Sequence, residues 1–273
     1  NRCSSGVVLG LPSFIIIWLK NYLLVIVLST TMKTIETKLY EIIRDQFTSN
    51  LEGEQLTSTG TITHKEATFI MNLIIERGLT RCLETGVAFG ASTIAICAAL
   101  SKLAAAGKHC YHYGADPCQH SDYGGAAIAG LKECKLDDFF HLMEGPSHLT
   151  IPELIAKGIE IDFALIDGWH TFDYTLVDVF LADKLLRPGG VMLIHDMNMP
   201  SKKKVWRYLK SHRRYKKLAA PRRSLRRRIL SSGNQAIHGH VGNAILTLST
   251  QHPLLVIEKV SSWEPPHSFF RTF

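Results

Sequence analysis

The sequence predicts an α/β doubly wound fold, a mostly parallel sheet with helices on both faces and an antiparallel hairpin strand at its C-terminal edge. Three observations carry that expectation. Over residues 79–196, short apolar runs ("RCLET", "HCYHYGAD", "FFHLMEG", "IDFALIDG", "VMLIHD") alternate with longer stretches of helical composition. Strands apolar at nearly every position are those of a parallel sheet covered on both sides, and the alternation implies right-handed crossovers. Near the end, "NAILTLST" and "LLVIEKV" are separated only by "QHP", too little chain for a crossover helix and enough for a hairpin. Finally, 273 residues at 46% hydrophobic composition suffice for one sizeable core, which sets fibrous and disordered classes aside.

Taken in order, residues 7–28 ("VVLGLPSFIIIWLKNYLLVIVL") form the first apolar run, about long enough to span a bilayer but interrupted by Pro12 and the Lys20–Asn21 pair. Three readings stay open for residues 1–31: a membrane anchor, a targeting peptide, or an extension upstream of a true start at Met32. After Met32, Ile35, Leu39, Ile42, Ile43 and Phe47 recur at helical spacing. A polar loop is expected over residues 48–61. Thr63 is then placed to cap a second helix that ends at Gly78, so that residues 32–78 read as N-terminal helices and 79–273 as the main domain.

Six cysteines include no C-x-x-C pair and mostly sit in apolar runs, the usage of a reducing compartment without a zinc site. The cytoplasm is the expected location, with membrane attachment through residues 7–28 as the alternative. The net charge of +7 is local: residues 202–228 hold 14 Lys and Arg and no acid, leaving 17 basic against 24 acidic residues elsewhere. This basic insertion either is a solvated arm or touches nucleic acid or an anionic membrane.

The chemistry concentrates at strand ends. In "LETGVAFGAST" the dinucleotide pattern G-x-G-x-x-G, aligned on Gly86, would put its later glycines at Ala88 and Ala91. The spacing acid-x-Gly-x-x-x-Gly fits Glu84, Gly86 and Gly90 instead. A carboxylate there repels a pyrophosphate and suits a cationic ligand such as S-adenosylmethionine, which carries an ammonium and a sulfonium. Asp116, in "YHYGADPCQ", stands at the end of the next strand, where an acid can take ribose hydroxyls.

These segments, with "EGPSHLTIPEL", "DFALIDGWHTFDYTLVD" and "LLRPGGVMLIHDM", follow one another in the order of a known family. The chain resembles the class I S-adenosylmethionine-dependent methyltransferases, with their Rossmann-like sheet. It is most similar to small-molecule O-methyltransferases of the catechol type and to the bacterial sugar and antibiotic O-methyltransferase and cephalosporin-hydroxylase group. The resemblance implies that Glu84, Gly86, Ala88 and Gly90 surround the methionine part of the cofactor and that Ser92 helps hold its carboxylate. It further implies that Asp116 takes the ribose, that Ser147 and His148 lie near the adenine, and that Asp167 borders the cofactor; Ser147 is equally placed for a helix N-cap. His170 falls where catechol-type enzymes carry their catalytic lysine and implies a general base. Asp167 and Asp196 match two ligands of the family's divalent ion, Mg2+, whereas Met197 occupies the asparagine position and Asn198 is displaced by one. His195 is either a second base or packed beneath the site. The expected partner is a small-molecule hydroxyl. The alternatives are an RNA methyltransferase that uses residues 202–228 on phosphates, and a binding module that has lost catalysis.

Overall fold

The computed structural model describes residues 32–221, 229 and 253–273. Helix α1, residues 32–40, closes in a π-helical turn, Glu41–Asp45, and stops at Gln46, whose φ of 59° is left-handed. The stretch expected as a loop holds a two-stranded antiparallel hairpin, β1 (Phe47–Ser49) and β2 (Gln55–Thr57). Polar groups fix it, and apolar periodicity does not register them. Asn50 Oδ1 accepts from the Glu54 amide while Asn50 Nδ2 donates to the Glu54 carboxylate, and the Ser58 hydroxyl donates to the Ile42 carbonyl.

Helix α2 (His64–Arg77) begins with a capping box: the Thr63 hydroxyl accepts from the Glu66 amide, and the Glu66 carboxylate accepts from the Thr63 amide. Gly78, at φ 62°, ends it, as its sequence position predicts.

The main sheet contains β3 (Arg81–Thr85), β4 (Tyr111–Ala115), β5 (Phe140–Met143), β6 (Ile161–Ile166), β7 (Leu186–Ile194), β8 (Tyr215–Lys217) and β9 (Leu255–Lys259). Its order is β5-β4-β3-β6-β7-β9-β8. Strands β3 to β7 pair in parallel, while β9 runs antiparallel to both β7 and β8. The doubly wound sheet with an antiparallel C-terminal strand pair is therefore present. Residues 243–250, expected as the hairpin partner of β9, lie outside the described residues, as do residues 1–31 and 222–228. No helix among the described residues is long and apolar enough to cross a membrane.

Helices α3 (Ala91–Ala105) and α4 (Ala126–Glu133) join α1 and α2 on one face, and α5 (Ser147–Ala156), α6 (Phe172–Leu185) and α7 (Pro200–His212) cover the other. The strands explain why both layers are needed. Phe163 and Leu165 of β6 belong to the first core, and Ala164 and Ile166 to the second, all fully buried. Truncating Phe163, Leu165 or Ile166 to alanine costs about 2–5 kcal/mol, because the cavity left behind collapses only in part. Helix α3 is buried at every position from Ala91 to Leu100, consistent with a helix apolar all round between the sheet and α2. From β3 the chain winds outward to β4 and β5, then returns to the other side of β3 for β6 and β7. The strand order reverses between β3 and β6, and this opens a crevice beyond their carboxyl ends.

Candidate active site

That crevice is a cavity of about 900 Å³, the size of a cofactor site with room for a second molecule. Its walls come from the β3–α3 turn, the ends of β4, β6 and β7, the start of α5, and residues 59–62 ahead of α2.

The β3–α3 turn is shaped from behind as well as in front. Gly86 has φ 83°, and a Cβ there would lie 2.4 Å from the Asp167 carbonyl oxygen; Gly90 has φ 85°, and its Cβ would lie 2.7 Å from that of Ala127. Both glycines are thus required by φ and by close approach of other backbone, in addition to any ligand. Ala88 also adopts a left-handed φ, 48°. Asp116 ties this turn down: its Oδ2 accepts from the amides of Val87 (2.9 Å) and Ala88 (2.8 Å), and its Oδ1 from that of Cys118 (2.8 Å). A carboxylate has about four acceptor positions, so Asp116 keeps about one, on Oδ1, for a cavity ligand.

Glu84 does not line the cavity. It is fully buried beneath the turn, where its Oε2 accepts from the Thr93 hydroxyl (2.7 Å) and lies 3.2 Å from His112 Nε2. Its Oε1 has no hydrogen-bond partner among the described residues, and a carboxylate so placed favours a cationic ligand in front of the turn. Ser92 is on the wall, in the first turn of α3. Ser147 is there too, but its hydroxyl donates to Asp178 Oδ1 and makes no cap bond; the residue before it, Pro146, occupies the N-cap position of α5. His148 is exposed and off the cavity wall, its ring 5.9 Å from that of Tyr174.

At the other end of the cavity, Asp167 and Asp196 leave the tips of β6 and β7 side by side. His195 lies behind them, buried and off the wall, with Nδ1 3.1 Å from Asp167 Oδ1 and 3.4 Å from Asp196 Oδ1. On its far side, Nε2 is 3.8 Å from Glu66 Oε2, so the capping acid of α2 also reaches the site. Burial alone would depress the His195 pKa; Asp167 and Asp196 outweigh it and hold the imidazole well above its ordinary value. For Asp196 the cost of burial is likewise overcome, chiefly by His195, and its carboxyl is held well below the usual range. His170 faces the pair from the exposed side, its Nε2 3.8 Å from Asp196 Oδ2. Donor atoms of Asp167, His170 and Asp196 lie within 4.8 Å of one another. Asn198 is buried and not on the wall.

Three side chains that the sequence did not single out complete the surroundings. Glu66 was hidden in its capping box. Asp178 of α6 lines the cavity, and burial raises its pKa against the bond from Ser147. Lys202 of α7 is fully buried, and burial lowers its pKa against the opposing pull of Asp167, Asp196 and Asp178. The one available signal was helical spacing, since Lys202, Val205 and Leu209 fall on one buried stripe.

A doubly wound sheet whose reversal point opens on a glycine turn, with an acid at the end of the adjacent strand, defines the class I fold. The chain has a methyltransferase domain, and its fold is that of S-adenosylmethionine-dependent O-methyltransferases. Residues 83–197 match a family model described as a methyltransferase domain. Solved structures with the same fold include an O-methyltransferase from Bacillus cereus in complex with S-adenosylhomocysteine, at 14% identity and TM-score 0.55, over 85% of this chain and 91% of that one. Another is the O-methyltransferase TomG from Streptomyces achromogenes, involved in tomaymycin synthesis and bound to S-adenosylmethionine, at 15% identity and TM-score 0.53, over 74% and 82%. A putative O-methyltransferase from Klebsiella pneumoniae aligns at 14% identity and TM-score 0.56, over 89% and 96%. At these identities the likeness is one of fold. No curated protein matches the chain.

Proposed function

We propose that the protein transfers the methyl group of S-adenosylmethionine to a hydroxyl oxygen of a small molecule, with His170 as the base. The observation that carries this reading is the convergence of His170, Asp167 and Asp196 on the wall of the cavity that the β3–α3 turn and Asp116 also line. In the transfer the hydroxyl oxygen forms a bond to the methyl carbon, the C–S bond breaks with its electron pair left on sulfur, and the hydroxyl proton passes to the imidazole. S-adenosylhomocysteine is the by-product. Glu84 behind the turn favours the cationic end of the cofactor, Ser92 its carboxylate, and the remaining acceptor position of Asp116 one ribose hydroxyl. Ser147 then stands at the adenine end.

The paired carboxylates of Asp167 and Asp196 fit a divalent cation such as Mg2+, which takes oxygen ligands. Asp167 and Asp196 would hold it, with His195 fixing both carboxylates from behind; when bound, such an ion lowers the pKa of an acceptor hydroxyl. His170 faces the same place from the exposed side, where it is free to take the proton. The O-methyltransferase names of the structural neighbours agree with attack by oxygen.

An RNA substrate is the weaker reading. Lys202 and Arg213 of the basic segment are buried and face inward, which removes them from any surface for phosphate. A module without catalysis is disfavoured by the intact convergence of the acids and imidazole. Titration calorimetry with S-adenosylhomocysteine, with and without Mg2+, followed by a screen of phenols, sugars and RNA for methyl acceptance, tests the proposal. Absence of S-adenosylhomocysteine binding, or methylation of RNA alone, would overturn it.

A further inference from the structure

The Gly90 amide donates to the Val87 carbonyl at 2.9 Å, closing a turn on the cavity wall with Ala88 and Phe89 at its centre. Ala88 has φ 48° there, a positive φ at a position that glycine usually fills. Asp116 holds the Ala88 amide at 2.8 Å, which fixes the peptide before Ala88. The central peptide, made by the Ala88 carbonyl and the Phe89 amide, takes part in neither bond. Its carbonyl accepts from Gln119 Nε2 at 2.7 Å, and its amide has no partner among the described residues. Gln119 is completely buried and off the cavity wall, and its own carbonyl accepts from the Gly125 amide at 2.7 Å, ahead of α4. Its Oε1 has no hydrogen-bond partner among the described residues. A buried amide that uses only its donor end carries the desolvation cost of the other, which an unbranched apolar side chain of similar length would avoid.

We propose that Gln119 is a positioning residue for the cofactor: from behind the turn it fixes the Ala88–Phe89 peptide in the orientation that S-adenosylmethionine meets. The inference rests on the reading of this turn as the seat of the cofactor's methionine part and is independent of the acceptor and of any metal ion. A residue with a Cβ disfavours the positive φ of Ala88. Without the Gln119 bond the Ala88 carbonyl is free to turn to water in the cavity, and the turn leaves its binding shape. Asp116 stays in place when Gln119 is replaced, but it acts on the other side of the Ala88 Cα, across that residue's two soft torsions. Glycine populates both signs of φ about equally, so a turn with glycine at this position has little need of the bond.

The test is titration calorimetry with S-adenosylhomocysteine on the full chain, for the parent, Gln119→Met, Ala88→Gly and the double variant. Gln119→Met is expected to weaken binding about tenfold in the parent, the order that a left-handed φ costs a residue with a Cβ. In the Ala88→Gly background the same replacement should weaken it no more than about twofold. Gln119→Met that binds like the parent, or that weakens binding equally in both backgrounds, overturns the role of Gln119 while leaving the cofactor's seat standing. Absence of binding by the parent overturns both. Should Gln119→Met melt too readily for titration, the rise of its thermal midpoint at one fixed concentration of S-adenosylhomocysteine is compared with the parent's. That rise is expected to be smaller than the parent's and to be restored by Ala88→Gly. An equal rise, or one that Ala88→Gly does not restore, overturns the proposal.

Discussion

For the proposed base, His170, position and accessibility separate binding from chemistry. The imidazole is exposed at the cavity wall, 3.8 Å from the Asp196 carboxylate, and bonds to nothing in the β3–α3 turn. His170→Ala is therefore expected to leave the affinity for S-adenosylhomocysteine unchanged and to lower kcat about 10²-fold or more, the usual cost of removing a general base; calorimetry and single-turnover methylation check the two halves. Asp116 behaves differently, because the same carboxylate that faces the cavity holds the amides of Val87 and Ala88. Asp116→Asn presents an NH2 group either to the Val87 and Ala88 amides, which share Oδ2, or to the Cys118 amide on Oδ1, so it should weaken S-adenosylhomocysteine binding about tenfold and also lower Tm by several degrees. A role confined to the ribose would leave Tm in place. The sequence made Asp116, Asp167, His170 and Asp196 legible because each ends or follows an apolar strand run, where a polar residue stands out. Glu66, Asp178 and Lys202 were not legible, since each sits inside a helix whose neighbours are mixed in polarity.

At the scale of elements, the β3–α3 turn and the α7–β8 segment show how differently local sequence can be read. The glycines of the turn were recognisable as a ligand corner, but the contact of Gly86 with the Asp167 carbonyl joins residues 81 positions apart, and no local pattern records it. Gly86→Ala would combine a strained positive φ with a backbone clash, at a cost of about 2–4 kcal/mol. It should also displace Asp167, so that kcat falls even where chemical denaturation shows the variant folded. The basic segment gave the opposite difficulty: its charge dominates the composition while its described residues build α7 and β8 of the domain. Arg213 Nε donates to Asp183 Oδ2 at 3.0 Å, the Tyr215 hydroxyl donates to Asp183 Oδ1 at 2.6 Å, and Lys259 reaches the same residue from β9. This buried cluster joins α6 to the β8–β9 pair. Burial and the adjacent Asp183 push the Tyr215 hydroxyl far above its ordinary pKa, which keeps it a donor at any physiological pH. Asp183→Ala leaves the buried Lys259 without its carboxylate and Arg213 with only the more exposed Glu264, and should cost about 3–5 kcal/mol in urea unfolding, with no change in S-adenosylhomocysteine affinity for whatever fraction stays folded.

Across the whole molecule, strand–helix alternation made the parallel sheet legible, because a two-faced core demands apolar runs at nearly every strand position. The β1–β2 hairpin was not, for its strands are three residues each and are set by side-chain bonds within the turn. Nor was the clamp at the end of the sheet away from the cavity. There Asp162 of β6 accepts from the Thr80 amide and hydroxyl, from the Arg81 amide and guanidinium, and from Arg187 of β7, binding the amino ends of three strands together. Burial would raise the Asp162 pKa, but its bonds to Arg81 and Arg187 prevail and hold it well below the ordinary 3.8. A depressed carboxylate pKa contributes stability that is fully present above the unfolded-state value and is lost as pH falls through the folded-state one. The clamp should therefore act in full at neutral pH and release in the acid range below about 3.8, together with Asp196 and Glu66, whose pKa values are also lowered. Asp162→Asn is expected to lose about 3 kcal/mol at pH 7. The gap between parent and variant should shrink steadily as unfolding is followed into acid, because protonation does to the parent what the substitution has already done. A gap independent of pH would mean that the asparagine fails through shape and not through charge.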